Sequence, residues 1–139
     1  MEEQQLIKWD DRLLTDMPTI DAQHKYFIGL LNDLYKKFEQ MAPSEEFNND
    51  LSKLIAYKAT HFATEEGFMK KYNFSGLEEH TQIHRKMSTD LEQFVIRYKN
   101  EGKKVLPEIF DFLDNWLVQH LELYDNKYAE YFRKIGVSE

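Results

Sequence analysis

The chain contains no cysteine. Disulfide bonds and thiolate metal sites are therefore excluded, and any bound metal must be held by nitrogen and oxygen. Clustered basic residues are missing too, beyond short pairs such as Lys70-Lys71 and Lys103-Lys104, and the net charge is −7. A nucleic-acid backbone is not expected as a partner, because phosphate binding needs grouped Lys and Arg. No stretch approaches the roughly 18 apolar residues of a membrane span, so no membrane partner is expected either. The amino terminus, Met1-Glu2-Glu3-Gln4-Gln5, is acidic and polar, unlike the basic start and apolar run of a signal peptide. These absences lead to the expectation of a soluble, cytoplasmic protein.

No run reads as the alternation of a β-strand; what is present is helical. The 139 residues suit a single domain, since a typical domain has about 100–150 residues. Hydrophobic residues make up 42% and charged residues 31%, interleaved as amphipathic helices require. After an N-terminal arm over about 1–18, containing Trp9 and Pro18, a first segment carries Ile20, His24, Phe27, Leu31, Leu34, Phe38 and Met41 at helical steps of three and four. Pro43 follows it, and Ser44 is placed to cap the next helix, with Glu45 and Glu46 in its first turn. The second segment puts Leu51, Leu54, His61, Glu65, Phe68 and Tyr72 near one stripe, before the turn Asn73-Phe74-Ser75-Gly76. The third runs through Leu77, His80, His84, Met87, Leu91, Phe94 and Tyr98. The fourth begins near Pro107 and continues through Phe112, Leu113, Trp116, Leu117, His120, Tyr124, Tyr128 and Phe132. Helices over 19–41, 44–72, 77–100 and 105–133 with short connections predict an all-α, antiparallel, up-down-up-down four-helix bundle that uses the whole chain.

All five histidines fall on apolar stripes. One histidine on a core face is ordinarily a hydrogen-bonded core residue, but five would bring ten polar nitrogens into one small core. A divalent metal satisfies many imidazoles at one point. His61 and Glu65 are four residues apart, as are His80 and His84, so each pair projects from one helix face on successive turns. His120 and Asp125 are five apart, about 140° around an ideal helix. Either Asp125 reaches sideways, or the helix is widened there by a π-bulge. Five imidazoles and two carboxylates are too many for one ion. Two ions bridged by both carboxylates and one further oxygen would use every ligand, leaving one ion six-coordinate and the other with an open position.

In order and spacing, four motifs resemble those of the bacterial hemerythrins. They are Ile20-Asp21-Ala22-Gln23-His24, His61-Phe62-Ala63-Thr64-Glu65-Glu66, His80-Thr81-Gln82-Ile83-His84, and Trp116-Leu117-Val118-Gln119-His120 continuing to Asp125. The resemblance runs from about Trp9 to Tyr131. It implies two iron ions with a bridging oxo or hydroxo group, one held by His80, His84 and His120 and the other by His24 and His61, with Glu65 and Asp125 bridging. It also implies that Phe27, Phe62, Trp116, Leu117 and Leu121 wall a dioxygen pocket, although core packing alone explains an apolar helix face. Glu66 is expected on solvated surface. One departure stands out: the family often has glycine in the turn before the first helix, where this chain has Thr15-Asp16-Met17-Pro18. That can alter how the arm folds on the bundle, and it leaves the ligand set untouched.

The function so implied is reversible dioxygen binding for storage, scavenging or delivery, by a monomer with a charged outer surface. Di-iron oxidases in helix bundles use four Glu and two His, with Glu-x-x-His motifs, and this chain has no Glu-x-x-His. An oxygen binder rather than an enzyme is therefore expected. The alternatives are oxygen or redox sensing, peroxidase-like or nitric-oxide-reducing activity at the same site, and a bundle holding another metal such as zinc.

Overall fold

A computed structural model of the chain describes residues 6–137. The acidic start Met1–Gln5, read above as unlike a signal peptide, lies outside the described residues. Helix α1 spans Pro18–Glu39, α2 Ser44–Lys71 and α3 Leu77–Glu101. A 3-10 turn, Gly102–Val105, leads into α4, Leu106–Gln119. A π-helical turn, His120–Asp125, joins α4 to α5, Asn126–Ile135, so these three pieces run on as one rod. There is no strand among the described residues, and the four rods form the expected all-α bundle. No helix among the described residues is long and apolar enough to cross a membrane.

Several ends differ from expectation for local reasons. Pro18 was expected in the arm but is the first residue of α1, where its fixed φ suits the helix and its missing N–H costs nothing. Ser44 is inside α2 rather than capping it, and Pro43 precedes it with no side-chain cap. Met41 was expected on the apolar stripe of the first helix. Because α1 ends at Glu39, Met41 lies beyond it with φ 56° and is 87% exposed.

The arm is tied down by polar contacts. The Asn32 side chain accepts from Ile7 N at 2.9 Å and donates to Ile7 O at 2.8 Å. Buried Asp21 accepts from both the backbone N and the hydroxyl of Thr15, each at 2.8 Å. Asp16 has φ 63°, the left-handed conformation that glycine adopts freely and Asp tolerates better than most residues. Arg133 holds it there, donating to Asp16 Oδ2 at 2.6 Å and to Leu14 O at 3.2 Å. Asp16 thus makes the turn before α1, with a cross-link to α5 that glycine could not supply.

The apolar core is split in two. A large cluster includes Phe27, Leu54, Phe62, Met87, Leu117 and Leu121, and a smaller one includes Met17, Ile20, Met69, Tyr128 and Phe132. Between them lie the five histidines with Glu65 and Asp125, all buried. Each rod passes from one cluster to the other at its histidines. Phe132 closes the smaller cluster, its ring 5.8 Å from that of Tyr72 and 5.5 Å from that of Tyr128. Phe132→Ala should cost about 3–5 kcal/mol, read from the denaturation midpoint, and a loss below about 1 kcal/mol would mean that this end is loosely packed.

Candidate metal centre

α1 contributes His24, α2 His61 and Glu65, α3 His80 and His84, and the π-helical turn His120 and Asp125. The π geometry settles how His120 and Asp125 meet. An extra residue in the turn returns the chain to the same face after five residues instead of four, so both side chains point inward from consecutive levels. His120 Nε2 lies 2.9 Å from Asp125 Oδ1.

The seven side chains converge on one space. His24 Nε2 is 3.0 Å from Asp125 Oδ2 and 3.4 Å from Glu65 Oε1, which also meets His61 Nε2. His80 Nε2 is 3.1 Å from Asp125 Oδ1 and 3.6 Å from Glu65 Oε2. Two groupings could each hold an ion: Glu65, His80, His84, His120 and Asp125, and then His24, His61 and Glu65, with Glu65 in both. Many of these contacts are short without being hydrogen bonds. Nε2 of His80, His84 and His120, Oε2 of Glu65 and both oxygens of Asp125 are buried with no hydrogen-bond partner. Buried polar atoms are rarely left so. Nitrogen and oxygen lone pairs turned toward one another in a dry interior fit divalent cations, which satisfy them all at once.

Stacking fixes the rings. Phe62 lies flat on His84 at 3.7 Å and 2°, and Trp116 on His120 at 4.2 Å and 14°. Phe27, Phe62, Trp116, Leu117 and Leu121 line a cavity of about 10 Å³ together with His24, His61, His120 and Asp125. That is room for about one small molecule. Among the described residues, no acid or base other than these candidate ligands lines it.

The sequence matches the family model of the hemerythrin HHE cation binding domain over residues 15–132. It is 31% identical over 120 residues to a myohemerythrin of Riftia pachyptila, covering 86% of this chain and 88% of that one. It is 30% identical over 128 residues to a bacteriohemerythrin of Pseudomonas paraeruginosa, covering 90% and 80% respectively. A myohemerythrin of Sipunculus nudus is 30% identical over 112 residues, covering 78% and 88%. The chain belongs to the hemerythrin family. It is thus a member of a family of di-iron oxygen-binding proteins, and its buried imidazole–carboxylate group is one that could hold metal.

Spacing within single helices does not reveal the residues that meet these rings from behind. Gln23 Oε1 lies 2.8 Å from His61 Nδ1. Glu66, expected on solvated surface, is instead 3.0 Å from His84 Nδ1 with its side chain 30% exposed. Both contacts cross from one helix to another, so no periodicity within a single helix reveals them. The hint in the sequence is adjacency, since each residue directly neighbours a candidate ligand. Tyr128 is also drawn in, its ring 5.4 Å from that of His80 and its hydroxyl buried without a hydrogen bond.

The electrostatics follow from burial and neighbours. Burial opposes charge on His24, but the close carboxylates of Asp125 and Glu65 prevail and raise its pKa to about 10. The same contest raises His80 to about 9. For His84 burial wins and the pKa falls to about 4. Burial also works against the two carboxylates, yet His61, His24 and His80 hold Glu65 well below its usual range, and His120 and His24 do so for Asp125. Without metal, protons on His24 and His80 therefore balance the carboxylates.

A raised pKa stabilises the fold fully below the ordinary histidine value of 6.5, and the contribution disappears as pH rises through about 9 and 10. The metal-free protein should therefore lose melting temperature between pH 6.5 and 10. Cations at the same nitrogens displace those protons, so metal-loaded protein should lack this alkaline loss. Thermal melts of both forms across that range check this, and parallel curves would count against metal binding at His24 and His80.

Proposed function

We propose that this hemerythrin-family chain binds dioxygen reversibly at a non-heme di-iron centre, for oxygen storage, scavenging or delivery, with residues 1–139 acting as one domain. The observation that supports this most is the small apolar cavity that opens directly onto candidate ligands, with His24, His61, His120 and Asp125 in its wall. In this reading His80, His84 and His120 would hold one iron, His24 and His61 the other, and Glu65 and Asp125 would bridge them beside an oxo or hydroxo group. Iron held by these residues would supply the electrons that dioxygen binding needs.

The protein's own part is binding, exclusion and restraint. Phe27, Phe62, Trp116, Leu117 and Leu121 admit a guest of one or two heavy atoms and keep bulk water away. They carry no acidic group, so none of the five hands the guest a proton toward irreversible reduction. The low dielectric penalises any net change of charge inside, which favours uptake and release over turnover. Five neutral imidazoles donate less charge than the carboxylate-rich set of helix-bundle oxidases, and this favours the ferrous state.

Iron-loaded protein, reduced without air, should develop a charge-transfer absorption band on exposure to oxygen and lose it when oxygen is removed. Rapid bleaching to a stable oxidised form would argue against reversible binding. Steady consumption of peroxide or nitric oxide would favour an enzyme instead, and a partner retained in only one oxidation state would favour a sensor. Leu117→Ala should enlarge the cavity, admit water and speed irreversible oxidation several-fold, measured as decay of the oxygenated band. An unchanged decay rate would mean that Leu117 does not guard the site.

A further inference from the structure

His61 and His84 are each held from behind, but by side chains of different charge. Gln23 Oε1 faces His61 Nδ1 at 2.8 Å, the Gln23 amide nitrogen donates to Thr64 Oγ1 at 3.3 Å, and the Thr64 hydroxyl donates to Thr60 O at 3.0 Å. This run of bonds turns the amide oxygen toward the ring, so His61 Nδ1 carries the proton and Nε2 keeps its lone pair for the cluster. At His84, Nδ1 donates to Glu66 Oε2 at 3.0 Å, and Nε2 is buried without a hydrogen bond. The two imidazoles do the same job with a neutral amide behind one and a full negative charge behind the other.

We propose that Glu66 is a positioning residue that makes the metal position of His80, His84 and His120 the more electron-rich of the two, while neutral Gln23 leaves the position of His24 and His61 the poorer. This rests on the two-metal reading above and does not depend on dioxygen being the ligand. A carboxylate on Nδ1–H draws that proton toward itself and strengthens Nε2 as a donor. It also places negative charge one ring away from the ion. The Phe62 ring, parallel to His84 at 3.7 Å, stops the imidazole from turning, so Nδ1 stays aimed at the carboxylate. Nδ1 of His24 and of His120 is buried with no hydrogen bond, so neither ring receives comparable support. Glu66 itself borders a groove between α2 and α3 with Arg85, Ser88 and Thr89. Being part-exposed, it can be changed without opening the core.

Three variants separate the hydrogen bond from the charge. Glu66→Gln keeps an acceptor and removes the charge, Glu66→Ala removes both, and Gln23→Glu adds a charge behind the other ring. Zinc affinity is measured by chelator competition on the metal-free protein. The reduction potential of the iron-loaded protein is measured by anaerobic spectroelectrochemistry, with no oxygen in either experiment. Glu66→Ala should weaken uptake of one of two zinc ions by roughly ten- to a hundred-fold. Glu66→Gln should restore most of that affinity yet raise the potential, and Gln23→Glu should lower it. Wild-type affinity and potential in both Glu66 variants would overturn the inference while leaving the two-metal reading intact. So would a Glu66→Gln protein that binds as poorly as Glu66→Ala with an unmoved potential, for then Glu66 only packs. A wild-type chain that takes up fewer than two ions would overturn the two-metal reading, and the inference with it.

Discussion

The structure depends on satisfying one layer of buried charge. Glu65 and Asp125 are ionised in the interior, where an unpaired carboxylate would cost several kcal/mol. Five imidazoles surround them, and Nε2 of His80, His84 and His120, Oε2 of Glu65 and both oxygens of Asp125 lack a conventional hydrogen bond. The apolar clusters on either side could each fold as ordinary bundle core, but the layer between them needs a cation or protons to exist at all. The other features of the site answer that requirement. Helical spacing delivers pairs of ligands, aromatic rings hold His84 and His120 flat, and residues on neighbouring helices fix the outer nitrogens of His61 and His84.

Much of this was legible from the residues. The steps of three and four, the turn at Asn73–Gly76 and the positions of the histidines were enough for a four-helix bundle with a polar layer, because ligand spacing within a helix is a property of that helix alone. What depends on contacts between helices was not legible. Glu66 lies on its helix about 100° from Glu65 and reads as surface until α3 brings His84 against it. Gln23 has no role until α2 supplies His61. Helix ends were less readable than helix cores, as Pro18, Met41 and Ser44 show. Each depends on a few backbone angles that a hydrophobic pattern does not encode. The His120–Asp125 interval was readable as an anomaly, but its resolution as a π turn needed the backbone.

The N-terminal arm has a bearing on the site that composition alone would not suggest. Arg12 pairs with Glu122 at 2.8 Å, and Glu122 lies within the π-helical turn that presents His120 and Asp125. Arg133, beyond that turn, reaches back to Asp16 and Leu14. The arm thus touches the fourth rod within the widened segment and again beyond it. A π turn has poorer backbone geometry than the α-helix around it, and outside contacts of this kind help to keep it from relaxing.

That turn also makes residue number a chemical quantity. Elsewhere in the bundle, a residue gained or lost in a connecting loop changes only how far one helix end lies from the next. Between His120 and Asp125 the same change would rotate everything beyond it by about 100°, taking the carboxylate out of the interior and turning Tyr128 and Phe132 with it. Over these six residues, insertions and deletions would therefore disturb both the buried polar layer and the apolar cluster beyond it. The tolerated length variation of the chain should concentrate at the turns and the termini.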